Sequence, residues 1–244
     1  MEGETQAVSK APQKKDAKKK KKVSILYKTN KKGQHVSGVF TVARIFVLPL
    51  YWLLKPFRFY GDRKVKDGAC LYVCNHYTNY DFMYPIKTTG EGIHYIAKKE
   101  NFETPVIRTL FRKIKAICVN RDGADVRGML DAFKCLKNGQ KVAIFPEGTR
   151  NKIGAEMLPF HHGASVIAVK NRVPIVPIML YKKPRLFRMT HVLVGKPFEL
   201  SEYYDAKMTA EEIEEADNKI REVMLNLRKE HMEYLQNKKK GKKS

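Results

Sequence analysis

The chain is short of acid, of cysteine and of long apolar runs. Asp and Glu number 25 against 48 Lys and Arg, a formal charge of +23 over 244 residues. Such an excess predicts attraction to polyanions, and nucleic acid and anionic lipid both qualify. Four cysteines exclude a disulfide-dense secreted scaffold. The longest uncharged apolar stretch, Ile45 to Leu54, has 10 residues. A bilayer crossing takes about 20, so no conventional transmembrane helix is predicted. No basic segment followed by an apolar run and a small-residue cleavage site opens the chain, so no secretory signal is predicted. Enough remains for a core. Hydrophobic residues make up 43 % and aromatics 10 %, which excludes a wholly disordered chain. The length predicts one domain with appendages.

The charge is uneven. Residues 1–36 form a lysine-rich, low-complexity tail, densest at Lys18 to Lys22, and residues 237–244 form a second one. Neither can bury enough apolar area to offset ordering entropy, so both read as disordered. Between the first tail and the folded part lies SGVFTVARIFVLPLYWLLKPFRFY, residues 37–60. It gathers apolar residues with Trp52 and Tyr51 between the basic borders Arg44, Lys55 and Arg58. That composition suits an interfacial helical segment lying in a membrane surface, or an ordinary core helix. Pro49 should kink it or split it in two. Between the two polyanions, this neighbour favours lipid.

The rest alternates strand and helix signals. Ala69 to Cys74, Gly92 to Ala97, Ala116 to Val119, Lys141 to Phe145, Ile175 to Tyr181 and His191 to Val194 read as strands. Thr104 to Lys115, Asp125 to Lys137 and Gly163 to Lys170 read as helices, and Thr209 opens a long one with Glu212 completing a capping box. The pattern predicts an α/β fold: a mixed, largely parallel sheet flanked by helices, with an N-terminal amphipathic membrane-surface helical segment. Chemistry in such folds sits in the loops after strand C-termini.

Two such loops carry reactive groups. Asn75-His76-Tyr77-Thr78-Asn79-Tyr80-Asp81 follows the strand ending at Cys74. Histidine is the natural base near neutral pH, and a carboxylate fixes its tautomer. Five residues on an ideal helix turn the chain by about 500°, so His76 and Asp81 meet only if an irregular turn folds Asp81 back. Phe145-Pro146-Glu147-Gly148-Thr149-Arg150 ends another strand. There Gly148 permits close backbone approach, Thr149 offers a hydroxyl and Arg150 a fork of donors suited to phosphate. Val119-Asn120-Arg121-Asp122 follows a third apolar run. The prolines of Val173-Pro174-Ile175-Val176-Pro177-Ile178 predict a strand at a sheet edge or end. Cys70 and Cys74 fall on one face of their strand and read as core thiols.

In this order NHYTNYD, VNRD, FPEGTR and VPIVPI resemble the four blocks of the glycerolipid acyltransferase family, from about Gly61 to Lys196. The resemblance implies an α/β acyltransferase domain over 61–236, in which His76 deprotonates a glycerol hydroxyl and Asp81 orients it. It also implies that Glu147, Gly148 and Thr149 shape the acceptor site, that Arg121 and Arg150 hold its phosphate, and that Lys98 or Lys99 adds a further phosphate contact. The implied reaction moves a fatty acyl group from an acyl thioester to the sn-2 hydroxyl of lysophosphatidic acid, giving phosphatidic acid. The thioester, acyl-CoA or acyl-carrier protein, is a co-substrate, and no cofactor or metal is expected. Alternatives are a glycerol-3-phosphate or other lysophospholipid acyltransferase, or a non-enzymatic basic protein of membrane surfaces or nucleic acid. The expected partners are lysophosphatidic acid, the thioester donor and an anionic membrane surface on the cytoplasmic face, with nucleic acid not expected. The chain departs from the family pattern in two places: Asn120 stands where Asp commonly precedes the arginine, and His161-His162 where a lysine is common. Two adjacent histidines without acid or Cys at ligand spacing are a poor metal signature, which leaves them a structural or donor-side role.

Overall fold

The computed structural model describes residues 28–29, 35–36, 42–61, 68–89, 92–120, 126–161, 163–204 and 207–241. Two short strands, β1 (Lys28–Thr29) and β2 (His35–Val36), pair antiparallel inside the stretch expected to be a tail. A π-helical turn, Ala43–Val47, runs into α1 (Leu48–Leu54). Pro49 lies just after the π-turn, at the start of α1, where the helix changes its hydrogen-bond spacing. There follow β3 (Phe57–Gly61), β4 (Cys70–Cys74), α2 (Met83–Thr88), β5 (Ile93–Lys98), a 3₁₀ turn (Lys99–Phe102), α3 (Pro105–Lys113), β6 (Ile117–Val119) and α4 (Val126–Lys137). The chain continues through β7 (Lys141–Ile144), α5 (Ala164–Asn171), β8 (Ile175–Leu180), β9 (Thr190–Val194), a 3₁₀ turn (Ser201–Tyr203) and α6 (Ala210–Lys240).

Seven strands form one sheet in the order β3-β9-β8-β4-β7-β5-β6. Every neighbouring pair is parallel except β8 with β9. The C-terminal ends of β4, β5, β6, β7 and β8 therefore share one edge. β9 and β3 run the other way and begin at that edge, where Phe57 pairs with Thr190. This is the mixed, largely parallel sheet that the alternation of elements predicts.

Three boundaries differ from the sequence reading. Residues 57–60 are not part of the interfacial segment but a sheet strand, because Phe57 to Gly61 pairs residue for residue with Thr190 to Val194. The C-terminal lysines do not start a separate tail at 237: α6 carries Lys238, Lys239 and Lys240 in its last turn, where cations suit the helix C-terminus. The Pro-flanked strand β8 is interior, not an edge. Pro177 O accepts from Gly195 N at 3.0 Å, just past the end of β9, so the donor its ring lacks falls at the end of the β8–β9 ladder rather than in its middle.

Strand alternation divides the core. In β4, which is buried throughout, Leu71 and Val73 face one layer with Ala132, Leu136, Ile167, Ile220 and Met224 from α4, α5 and α6. Cys70, Tyr72 and Cys74 face the other, with Leu48, Tyr51, Met83 and Ile86 from α1 and α2. Burial pushes the Cys74 thiol well up, as expected of a core thiol. A central strand covered on both faces reads as a continuous apolar run, which CLYVC does. Helix α6 starts with the capping box: Thr209 Oγ1 accepts from Glu212 N at 3.2 Å and Glu212 Oε2 accepts from Thr209 N at 2.7 Å.

Helix α1 is attached unusually. It buries Leu48 and Tyr51, three residues apart on one face, and its other large apolar side chains are exposed. Leu50 and Leu53 are more than 60 % exposed, as is Phe46 in the preceding turn. Among the described residues no helix is long and apolar enough to cross a membrane.

Candidate active site

The loop after β4 holds its histidine by local hydrogen bonding. Asn75 clamps β4 to the end of β8: its Nδ2 donates to Leu180 O at 3.1 Å and its Oδ1 accepts from Leu180 N at 2.7 Å. Beyond it a tight turn reverses the chain, with Asp81 N donating to Thr78 O and Met83 N to Tyr80 O, and α2 begins. The turn folds Asp81 back under His76. Four donors converge on its carboxylate: Tyr77 N at 2.6 Å, Thr78 N at 2.7 Å and His76 Nδ1 at 2.9 Å on Oδ2, with Thr78 Oγ1 at 2.6 Å on Oδ1. A carboxylate only accepts, so Nδ1 carries the ring proton and Nε2 is left with a lone pair. Asp81 is 1 % exposed and the His76 side chain 21 %, so the ring is partly open to solvent while its carboxylate is sealed.

The loop after β7 buttresses the ring. Phe145 stacks on His76 with centroids 4.4 Å apart. Glu147 is buried. One carboxylate oxygen accepts from His76 N at 2.7 Å and the other from Leu158 N at 2.8 Å. Burial raises its carboxyl above the usual carboxylate range, against the pull of those two N–H donors and of His76. Asn151 N donates to His76 O at 2.7 Å, so two loops 71 residues apart are sewn together around one backbone segment. Gly148 takes φ +63 in the turn closed by Gly148 N on Phe145 O, which is why a glycine stands there.

Arg150 reaches across the same seam, its Nη1 donating to Asn79 Oδ1 at 2.8 Å, and both it and Thr149 are exposed. The fold thus joins His76, Asp81 and Glu147 directly and brings Arg150 to the same turn through Asn79. Lys98 and Lys99 stand at the C-terminal end of β5 on the same edge, Lys98 half-buried and Lys99 exposed. Two strand spacings, roughly 10 Å, separate β5 from β4. β6 ends one strand further on, and Arg121, in the loop that follows it, lies outside the described residues, as does His162. His161 N donates to Pro146 O at 2.8 Å, which places this histidine against the same loop. The sequence reading assigned no role to Asn75, Thr78, Asn79, Phe145 or Asn151. All lie within or beside NHYTNYD and FPEGTR, so the signal available for them was proximity to those motifs.

The chain matches the family model described as Acyltransferase over residues 56–181, just over half its length. It is 35 % identical over 124 residues to 1-acyl-sn-glycerol-3-phosphate acyltransferase of Helicobacter pylori, covering 49 % of this chain and 52 % of that one. It is 30 % identical over 151 residues to the Bacillus subtilis enzyme of the same name, covering 56 % and 70 %. With the chloroplastic BAT2 of Brassica napus, also so named, the identity is 38 % over 118 residues, 47 % and 33 % of the two chains. The match thus spans from a third to about two thirds of the length of these relatives. The fold is similar to the crystal structure of the 1-acyl-sn-glycerophosphate (LPA) acyltransferase PlsC from Thermotoga maritima, with TM-score 0.60 and 24 % identity over 79 % of this chain and 78 % of that one. By the match over residues 56–181, the chain belongs to the acyltransferase family.

Proposed function

We infer that this chain transfers a fatty acyl group from an acyl thioester to the sn-2 hydroxyl of 1-acyl-glycerol-3-phosphate. The observation that carries the reading is the His76–Asp81 pair at 2.9 Å, partly open to solvent and joined by Glu147 to the Phe-Pro-Glu-Gly-Thr-Arg loop. His76 Nε2 takes the hydroxyl proton as the oxygen attacks the thioester carbonyl. The new C–O ester bond forms, the C–S bond breaks, and the proton passes to the departing thiolate. Asp81 keeps the proton on Nδ1 and stabilises the imidazolium that forms. No covalent acyl-enzyme is required. Arg150 holds the acceptor's phosphate with Arg121 and a lysine at the end of β5, since a dianion needs converging cations. The chain works at the cytoplasmic surface of a membrane, where the exposed apolar side chains of Ile45–Leu54 lie among the acyl chains that the acceptor shares. The names and identities of the relatives support the acceptor and the reaction class.

The test is release of free thiol from acyl-CoA and from acyl-carrier protein, with lysophosphatidic acid, glycerol 3-phosphate or other lysophospholipids as competing acceptors. Lysophosphatidic acid is the acceptor expected to win. His76→Ala should lower turnover at least ~100-fold, because a positioned base is worth roughly 10²–10⁴. Near wild-type turnover by a folded variant removes His76 from the chemistry.

A further inference from the structure

The loop between β8 and β9, Tyr181 to Met189, has the sequence YKKPRLFRM, with four cations, three large apolar residues and no acid. We propose that it is a membrane-inserting element, in which Leu186, Phe187 and Met189 enter the boundary between headgroups and acyl chains of an anionic bilayer while Lys182, Lys183, Arg185 and Arg188 hold its phosphates. It adds to α1 an anchor from a distant part of the chain, and it rests on the acyl-transfer reading only for its purpose.

Exposure is the first ground. Phe187 is 72 % exposed, and Leu186 and Met189 each more than half. Single apolar residues on a surface need no explanation, but three within four positions beside a larger patch do. The larger patch is α1 and the turn before it, and the two are joined: Phe187 N donates to Leu54 O at 2.8 Å and Thr190 N to Pro56 O at 2.7 Å. Phe187 takes φ +54, a left-handed conformation that bulky residues rarely adopt. The most exposed ring of the loop thus sits on a disfavoured backbone conformation.

Position is the second ground. β8 ends and β9 begins at the edge that carries His76 and the loop after β7. On the α1 side, Tyr51 lies 5.8 Å from Tyr80 of the catalytic turn, ring to ring, and Lys55 lies over the Tyr80 ring at 5.4 Å. A bilayer touching both anchors would thus face the mouth of the site, where an acceptor drawn from that bilayer must arrive.

Charge is the third. The loop lines a cleft of about 800 Å³ with Lys182, Lys183, Arg185, Arg188 and Met189, together with Arg228, itself paired with Glu156, and Tyr77, the neighbour of His76. The cations suit phosphate. The nucleotide phosphates of a soluble thioester would suit the cleft as well, but they leave Leu186 and Phe187, which do not line it, in water without purpose, whereas a bilayer engages both sets. Apolar insertion ringed by cations is how interfacial elements bind anionic lipid.

The chain has one tryptophan, Trp52, which permits a clean reporter. The full chain carrying Trp52→Phe and Phe187→Trp is mixed with vesicles of equal parts phosphatidylcholine and phosphatidylglycerol. The expected result is a blue-shifted emission quenched by lipids brominated near the headgroup end of the chain, weaker on phosphatidylcholine alone. Separately, Leu186→Ser, Phe187→Ser and Met189→Ser combined should weaken vesicle cosedimentation at least about tenfold, as loss of several buried apolar side chains requires. An emission unchanged by vesicles, or changed by CoA and not by vesicles, overturns the proposal. So does cosedimentation unaltered in the triple variant. Thiol release with detergent-dispersed acceptor reads the acyl-transfer proposal independently: its absence in the wild type would sink that reading and leave the fluorescence result standing.

Discussion

Glu147, expected from sequence to shape an acceptor site, serves through the backbone in the fold. Both its oxygens are occupied by main-chain N–H groups, one of them belonging to His76. In Glu147→Gln an NH2 group must face one of those two donors, leaving a buried N–H unpaired at a cost of about 1–3 kcal/mol. The expected outcome is a loss of that size in urea unfolding and a lower kcat, with the acceptor KM little changed, because the side chain is sealed from solvent. A raised KM at unchanged kcat would instead put Glu147 in contact with the acceptor. His76 differs in kind: in the proposed reaction its loss removes the base, whereas Glu147 acts on it only through the backbone.

At the scale of elements, β3 depends on one glycine. Gly61 takes φ +91, and a Cβ there would stand 2.0 Å from Val194 O, its partner on β9. Gly61→Ala combines left-handed strain with this clash, so a destabilisation of at least about 1–3 kcal/mol is expected in urea unfolding. A loss under about 0.5 kcal/mol, the level of a neutral surface change, would contradict the geometry. β9 and α6 are joined by an imidazole pair, His191 Nδ1 to His231 Nε2 at 2.6 Å, packed by Tyr60, Tyr181 and Tyr234. Burial, and then His191, push His231 from 6.5 down to about 4. Burial lowers His191 as well, helped by Arg58, Lys182 and Lys238. A depressed base favours the folded state fully above 6.5. Between about 6.5 and about 4 the unfolded chain takes up a proton that the folded chain refuses, so stability falls as pH drops through that window. The unfolding midpoint of His231→Gln should therefore decline less steeply than the wild type's over the same range. Parallel declines would mean that His231 titrates normally.

For the whole molecule the governing quantity is the charge of +23 beside an exposed apolar face. Each lysine held near an anionic leaflet contributes about 1 kcal/mol, screened by salt. Deleting residues 1–27, which removes the densest lysine run and leaves β1 and β2, should weaken binding to anionic vesicles, most at low salt. It should leave turnover of detergent-dispersed acceptor intact. Loss of that turnover would show that the segment takes part in the chemistry.

What can be read along the chain is what depends on neighbours along the chain. Strands and helices were visible because side-chain periodicity and caps are local, as with the uniformly apolar CLYVC and the Thr209–Glu212 box. The reactive residues were visible because base, carboxylate and arginine lie in two short motifs after strands. Whether a Pro-bearing strand lies inside the sheet, whether residues 57–60 pair with a strand more than 100 positions on, and which way α1 turns its leucines were settled by packing between distant segments. The sequence alone therefore determined most of the strand and helix alternation from Ala69 onward and the candidate base with its carboxylate. The tertiary structure decided that Glu147 braces His76 from 71 residues away and that α1 and the β8–β9 loop lie at the edge that carries His76, because both follow from strand order, which no local pattern specifies.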